Sequence, residues 1–72
     1  MHLTELIQTF KERRAMLRVT QETLAELSGV GLRTLKQFER GKGNPTLQTL
    51  QKLADILGME ICLQIKKTQS DK

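Results

Sequence analysis

The sequence predicts an all-α fold, a compact domain of four or five helices followed by a short C-terminal β-strand. Three observations predict it. Apolar residues recur at intervals of three and four along most of the chain. Glycines and a proline interrupt this pattern where helices would end. The period changes to two only near the end, which is typical of a strand. With 72 residues, the chain forms one domain with a small core.

The first two helices are predicted from apolar spacing and from their caps. Helix 1 is predicted over residues 3–17, with its apolar positions at Leu3, Leu6, Ile7, Phe10 and Leu17. Thr20 is suited to cap a second helix over about 21–28. The apolar positions of this helix are Leu24, Ala25 and Leu27. Gly29 follows, where a helix often ends in a left-handed turn.

The third helix, predicted over about 32–40, has two different faces. At about 100° per residue, Phe38 and Glu39 lie within about 60° of Leu35, which marks the buried side. Four long side chains that donate hydrogen bonds gather on the opposite side: Arg33, Lys36, Gln37 and Arg40. The segment GKGNP, residues 41–45, then breaks the chain.

The last two predicted elements are a helix and a strand. Thr46 is suited to cap a fourth helix over about 47–57, and Gly58 ends it. Its core-spaced residues are Leu47, Leu50, Leu53, Ala54 and Leu57. In MEICLQI, residues 59–65, Met59, Ile61, Leu63 and Ile65 alternate with Glu60, Cys62 and Gln64.

This predicted strand needs a partner, because one strand alone leaves its backbone donors and acceptors unpaired. No second strand is evident in the sequence, so we predict antiparallel pairing with a second copy about a two-fold axis. The alternatives are that the strand pairs with a different protein or folds back, while the helices form the dimer. The predicted division is a helical domain at 1–58, a dimerisation strand at 59–66 and a flexible polar tail at 67–72.

Composition limits the function classes. The formal net charge of +4 favours an anionic partner, most often nucleic acid. The single cysteine excludes an internal disulfide and agrees with a reducing cytoplasm, the expected location. No apolar run is long enough to span a membrane. Neither paired carboxylates nor an activated nucleophile is evident, so we expect no enzyme, no metal and no cofactor.

Helix 2, a three-residue turn around Gly29 and helix 3 have the dimensions of a helix-turn-helix. In that motif the second helix enters the DNA major groove and the first crosses the backbone. Ala25 supports this interpretation, because two helices that cross closely need a small residue at the contact. The alternative is a helical hairpin whose basic face is merely solvated.

Residues 20–58, TQETLAELSGVGLRTLKQFERGKGNPTLQTLQKLADILG, closely resemble the phage-repressor-like helix-turn-helix family, also called the Xre or Cro/C1 family. The resemblance implies that the helical domain at 1–58 is a lambda-repressor-like helix-turn-helix DNA-binding domain, and that the toxin of a toxin–antitoxin pair is the protein that could pair with the strand. The following MEICLQIKK is similar to the HipB-type antitoxin branch, in which a short strand pairs with its twin across a dimer axis. For this chain it implies a homodimer joined through Met59, Ile61, Leu63 and Ile65.

The same resemblance implies roles for individual residues. The implied DNA contacts are Gln21, Leu32, Arg33, Thr34, Lys36, Gln37, Arg40, Lys42, Gly43 and Asn44. Gln21 matches a glutamine that contacts a phosphate or a base, and Arg33 is suited to guanine. Gln37 could bond adenine or only a phosphate. Leu32 could contact a thymine methyl group or simply pack.

Other positions match a structural feature of the family or depart from its pattern. Arg14 and Glu39 match an ion pair that links helix 1 to the end of helix 3. Gly31 stands where a serine or threonine usually caps helix 3. Arg18 stands where a glycine often ends helix 1, and its charge could reach a phosphate or only lie near the helix C-terminus.

The resemblance implies a sequence-specific transcriptional repressor that binds a palindromic operator in double-stranded DNA as a homodimer. It further implies the antitoxin of a HipA-like toxin–antitoxin operon, which neutralises a kinase-type toxin. The alternative is a stand-alone phage-type repressor with no toxin partner. Such a repressor usually adds a separate dimerisation domain. This sequence shows only a strand and a short tail, which favours the antitoxin.

Overall fold

The computed structural model describes residues 2–66 and contains four helices in that range. They are α1 (Leu3–Met16), α2 (Gln21–Ser28), α3 (Leu32–Glu39) and α4 (Leu47–Ile56). The predicted all-helical architecture is therefore confirmed, and each helix boundary lies close to its predicted position. None of the helices in the described range is long and apolar enough to cross a lipid bilayer. The predicted polar tail at 67–72 lies outside the described residues.

The helix ends follow the local chemistry of the sequence. The Thr20 hydroxyl accepts a hydrogen bond from the backbone N–H of Thr23 at 3.0 Å, and this confirms the predicted cap of α2. Thr46 caps α4 in the same way, with a distance of 3.1 Å to the N–H of Thr49. Gly29 ends α2 in the left-handed region, with a φ of 77°.

Arg18 also lies in the left-handed region, with a φ of 58°, and it is the one non-glycine residue that does so within residues 2–66. Its N–H donates to the carbonyl of Ala15, and the N–H of Val19 donates to that of Arg14. These bonds close the end of α1. A side chain in this conformation is strained by contact with its own backbone. The geometry explains why glycine suits this position.

Ten apolar side chains form the core: Ile7, Phe10, Leu24, Ala25, Val30, Leu35, Phe38, Leu53, Ala54 and Leu57. The rings of Phe10 and Phe38 meet edge to face with centroids 5.2 Å apart. This contact joins α1 to α3, while α2 packs against both α3 and α4.

Four predicted apolar positions are exposed, namely Leu3, Leu17, Leu27 and Leu47, while Leu6 and Leu50 are half-buried against the core. Leu3 and Leu47 are the first residues of their helices, and Leu17 follows the last residue of α1. Leu27 lies about 160° around α2 from the buried Ala25 and about 60° from the buried Leu24, so it stands outside the buried side of the helix. The prediction that these four residues belong to the core is therefore wrong, because a helix buries only the side that its neighbours cover.

Residues 59–65 form no strand in the single chain. Within residues 2–66 the structure contains no strand, and the described part of the chain offers no second strand with which residues 59–65 could pair. Met59 and Ile61 are half-buried against the core. Leu63 and Ile65 are 98% and 96% exposed. The predicted pairing needs a second copy and stays a prediction.

Candidate nucleic-acid interface

The interface is built on α2, a three-residue turn and α3. Leu35 and Phe38 are almost completely buried, so they fix one side of α3 against the core. Val30 is also buried, which anchors the turn between the two helices. Ala25 is buried on α2, which packs against both α3 and α4. The opposite side of α3 therefore faces solvent over its whole length.

A shallow groove runs along this outer side of α3. It is lined by five of the predicted DNA contacts: Leu32, Arg33, Lys36, Gln37 and Arg40. Leu32 packs against the core but stays half-exposed, so the packing alternative holds for part of its side chain. Its exposed part borders the groove, and a contact with a thymine methyl group stays a prediction.

A second groove adjoins the first at Gln37. Its lining is formed by Thr34, Gln37, Lys42, Gly43, Asn44 and Pro45. The loop after α3 is bonded to the helix, because the N–H of Lys42 donates to the carbonyl of Gln37 at 2.7 Å. Gly43 has a φ of 78°, and a Cβ atom there would lie 3.6 Å from Oε1 of Gln37. Nine of the ten predicted contacts thus form one continuous surface.

The charge on this surface has one sign. Arg33, Lys36, Arg40 and Lys42 are exposed cations. Residues 32–45 contain a single carboxylate, Glu39, and it is buried. A surface with four cations and no exposed carboxylate attracts a polyanion, and long donors on a helix suit the edges of bases and the phosphate oxygens.

The negative charge of Glu39 is neutralised by Arg14, a residue of α1. Arg14 forms two parallel hydrogen bonds to its carboxylate, Nε to Oε2 and Nη2 to Oε1, both at 2.8 Å. The remaining nitrogen, Nη1, donates to the carbonyl of Val19 at 3.0 Å. The predicted ion pair is therefore confirmed. The hydrogen bond to Glu39 raises the pKa of the Arg14 guanidinium above its ordinary value, so Arg14 stays charged.

Gln21, the tenth predicted contact, lies apart from the two grooves. It is the first residue of α2 and is half-buried. Its Nε2 donates to Oε1 of Glu39 at 2.9 Å. No pattern in the sequence indicates this contact, because the two residues are 18 positions apart and lie on different helices.

Arg13 is a second residue whose role the sequence did not indicate. Its Nε donates to the carbonyl of Leu57 at 2.8 Å, which ties α1 to the end of α4. A cation at this place also offsets the partial negative charge of the helix C-terminus.

Within residues 2–66, no group of three His, Cys, Asp or Glu side chains lies close enough to hold a metal ion.

The HTH_3 helix-turn-helix family model matches residues 10–64, a range that contains α2, the turn, α3 and all ten predicted contacts. The chain belongs to the HTH_3 helix-turn-helix family. This confirms the resemblance to the Xre or Cro/C1 family, and the narrower HipB-type resemblance stays a prediction.

Three transcriptional regulators are similar to this chain over about two thirds of its length. The cryptic phage CTXphi transcriptional repressor RstR of Vibrio cholerae is 38% identical over 48 residues, which are 67% of this chain and 43% of RstR. An HTH-type transcriptional regulator of Archaeoglobus fulgidus is 41% identical over 51 residues, 71% of this chain and 72% of the regulator. The regulator MJ0272 of Methanocaldococcus jannaschii is 40% identical over 48 residues, 67% of this chain and 73% of its own length. The match therefore spans less than half of RstR.

Proposed function

We propose that this protein is a sequence-specific DNA-binding transcriptional repressor, and not an enzyme. The observation that carries the proposal is the surface formed by α3 and the loop after it, which presents four cations and no exposed carboxylate on a helix anchored by Leu35 and Phe38. Membership of the HTH_3 family supports it, and so does the similarity to the repressor RstR.

The site divides naturally into two kinds of contact. On the outer side of α3, Arg33 and Gln37 would contact base edges in a major groove. The loop at 42–44 would contact phosphates through its backbone N–H groups and the charge of Lys42, and Lys36 and Arg40 would add their charges. Base contacts would supply specificity, and phosphate contacts most of the salt-dependent affinity.

We further propose that the protein acts as a homodimer on a palindromic operator. An apolar groove between α1 and α4 is lined by Leu6, Phe10, Leu50 and Ala54 together with residues 59–63. Leu63, the last of these, and Ile65 are almost fully exposed. Pairing of residues 59–66 with a second copy would cover these side chains and satisfy the backbone groups. Two recognition helices about 34–36 Å apart would then match one turn of DNA.

The narrower proposal is the antitoxin of a HipA-like toxin–antitoxin operon, with a kinase-type toxin as a protein partner. It is supported by the apolar segment MEICLQI, whose exposed Leu63 and Ile65 could contact a protein partner. A stand-alone phage-type repressor is the second candidate, and the similarity to RstR favours it. Co-purification with the product of an adjacent kinase-like gene would support the antitoxin. If no such gene lies beside it, the stand-alone repressor is the better proposal.

The general proposal is tested by selection from a pool of random duplexes, followed by affinity measurement on the selected sequence and on an unrelated duplex. Specific binding is typically about 10³-fold or more tighter than nonspecific binding at physiological salt. We expect a two-fold symmetric consensus with a clear preference over the unrelated duplex. Enrichment of no sequence would contradict a sequence-specific repressor.

A further inference from the structure

We infer that Glu39 is a positioning residue for DNA binding, because its carboxylate fixes the carboxamide of Gln21 before DNA arrives. The inference rests on the proposed DNA-binding function. It gives the buried ion pair between α1 and α3 a second effect, on the recognition surface, beyond its effect on the fold.

The contacts converge on one oxygen. Oε1 of Glu39 accepts from Nε2 of Gln21 at 2.9 Å and from Nη2 of Arg14 at 2.8 Å. Arg14 also holds the carbonyl of Val19, two residues before Gln21, at 3.0 Å. The start of α2 is therefore fixed twice, through its side chain and through the backbone just before it.

The direction of the carboxamide follows from the chemistry of its partner. An ionised carboxylate only accepts hydrogen bonds, so the amide of Gln21 must turn its nitrogen toward Glu39. One N–H and the carbonyl oxygen of the carboxamide remain available. Because Gln21 is half-buried, these groups are presented from a fixed place at the N-terminal end of α2. An N–H can bond a phosphate oxygen, and an N–H with a carbonyl can bond adenine.

The bond to Gln21 adds little that the fold requires. Arg14 already neutralises Glu39 through two hydrogen bonds, and both of its carboxylate oxygens are satisfied without Gln21. The main effect of the third bond therefore falls on Gln21. A glutamine free to rotate would have to be ordered on binding. Holding it beforehand removes a cost that corresponds to roughly a twofold to tenfold change in affinity for each immobilised side chain.

A double-mutant cycle separates positioning from folding. Gln21→Ala is measured for operator affinity in the unaltered protein and in an Arg14→Met, Glu39→Leu background, where the pair is replaced by apolar side chains that such sites often tolerate. Gln21→Ala in a Leu57→Ala background is the matched control. Leu57 is fully buried at the far end of α4, and its truncation weakens the fold without removing the acceptor of Gln21.

We expect Gln21→Ala to weaken operator binding about twofold to tenfold in the unaltered protein and in the Leu57→Ala control. In the Arg14→Met, Glu39→Leu background the same change should have a much smaller effect. An equal effect in all three backgrounds would overturn the inference, because Glu39 would then act on the fold alone. No effect in the unaltered protein would overturn it too. If the unaltered protein bound no duplex, the proposed function itself would fail.

A second measurement needs no DNA. The side-chain amide signals of Gln21 in ¹H–¹⁵N spectra should show a carboxamide with restricted motion in the unaltered protein. They should shift to those of a freely rotating carboxamide in the Arg14→Met, Glu39→Leu variant. A carboxamide that is equally mobile in both proteins would overturn the inference.

Discussion

The backbone N–H of Lys42 donates a hydrogen bond to the carbonyl of Gln37 at 2.7 Å, so the basic loop after α3 is held on α3 itself. Gly43 continues this contact, since it lies beside the Gln37 side chain. The loop that would contact phosphates and the helix that would contact bases are therefore parts of one rigid surface. The register of the helix in the groove would be set by the loop.

Gly43→Ala should weaken this surface. Gly43 has a φ of 78°, and an alanine in this conformation costs about 1–2 kcal/mol of stability. We also expect weaker binding to every DNA sequence, because the loop would shift on α3. Urea unfolding and duplex affinity measure the two effects. Gly43→Asn is the control, because asparagine adopts positive φ more readily and should lose less. Equal losses for both variants would contradict this explanation.

Arg18→Gly should stabilise the protein. Arg18 carries the strain of a left-handed residue with a φ of 58°, and glycine removes it. Part of the gain is offset by the greater entropy of glycine in the unfolded chain. We therefore expect about 0.5–1 kcal/mol in thermal or urea unfolding. Arg18→Ala removes the same charge but keeps the strain, so it should give no such gain. If both variants were equally stable, the backbone strain would not be the cause.

Arg14→Ala should cost more stability than Glu39→Ala. The side chain of Glu39 is 4% exposed, and without Arg14 it would leave a buried carboxylate at the end of α3, where the helix carbonyls are also negative. Such a loss is about 3–5 kcal/mol. The side chain of Arg14 is 20% exposed and can reach water when Glu39 is removed, so we expect about 1–3 kcal/mol there. Urea unfolding of both variants measures these losses. A decrease of only a few tenths of a kcal/mol in the free energy of unfolding would show that the pair does not stabilise the fold.

Leu63→Lys with Ile65→Lys should convert the protein to a monomer without unfolding it. Both side chains are almost fully exposed in the single chain, so their loss cannot weaken its own core. Gln64→Lys is the control, because it adds charge between them on the opposite side of the same segment. Sedimentation equilibrium measures the association. A dimer that survives the double change would rule out pairing through residues 59–66.

Most of the fold follows from local rules that a sequence contains. Thr20 and Thr46 cap helices through bonds to residues three positions away, and Gly29 ends α2 through its own conformation. The outer side of α3 follows from helical geometry once Leu35 is taken as buried. For these features no knowledge of the rest of the molecule is needed.

The remaining features depend on how helices meet. The hydrogen bond between Gln21 and Glu39 joins residues 18 positions apart, and the one from Arg13 to Leu57 spans 44. Periodicity carries no information about such contacts. The exposure of Leu27 has the same origin, since it depends on which side of α2 the neighbouring helices cover.

On the proposed function, α3 contacts bases while the loop after it contacts phosphates. The most direct test measures affinity for the selected operator and for a random duplex at several salt concentrations, for the unaltered protein, Arg33→Ala and Lys42→Ala. Arg33→Ala should cost about 1–3 kcal/mol on the operator and little on the random duplex. Lys42→Ala should weaken both alike and reduce the salt slope by about one. Equal weakening of both duplexes by Arg33→Ala would contradict the claim.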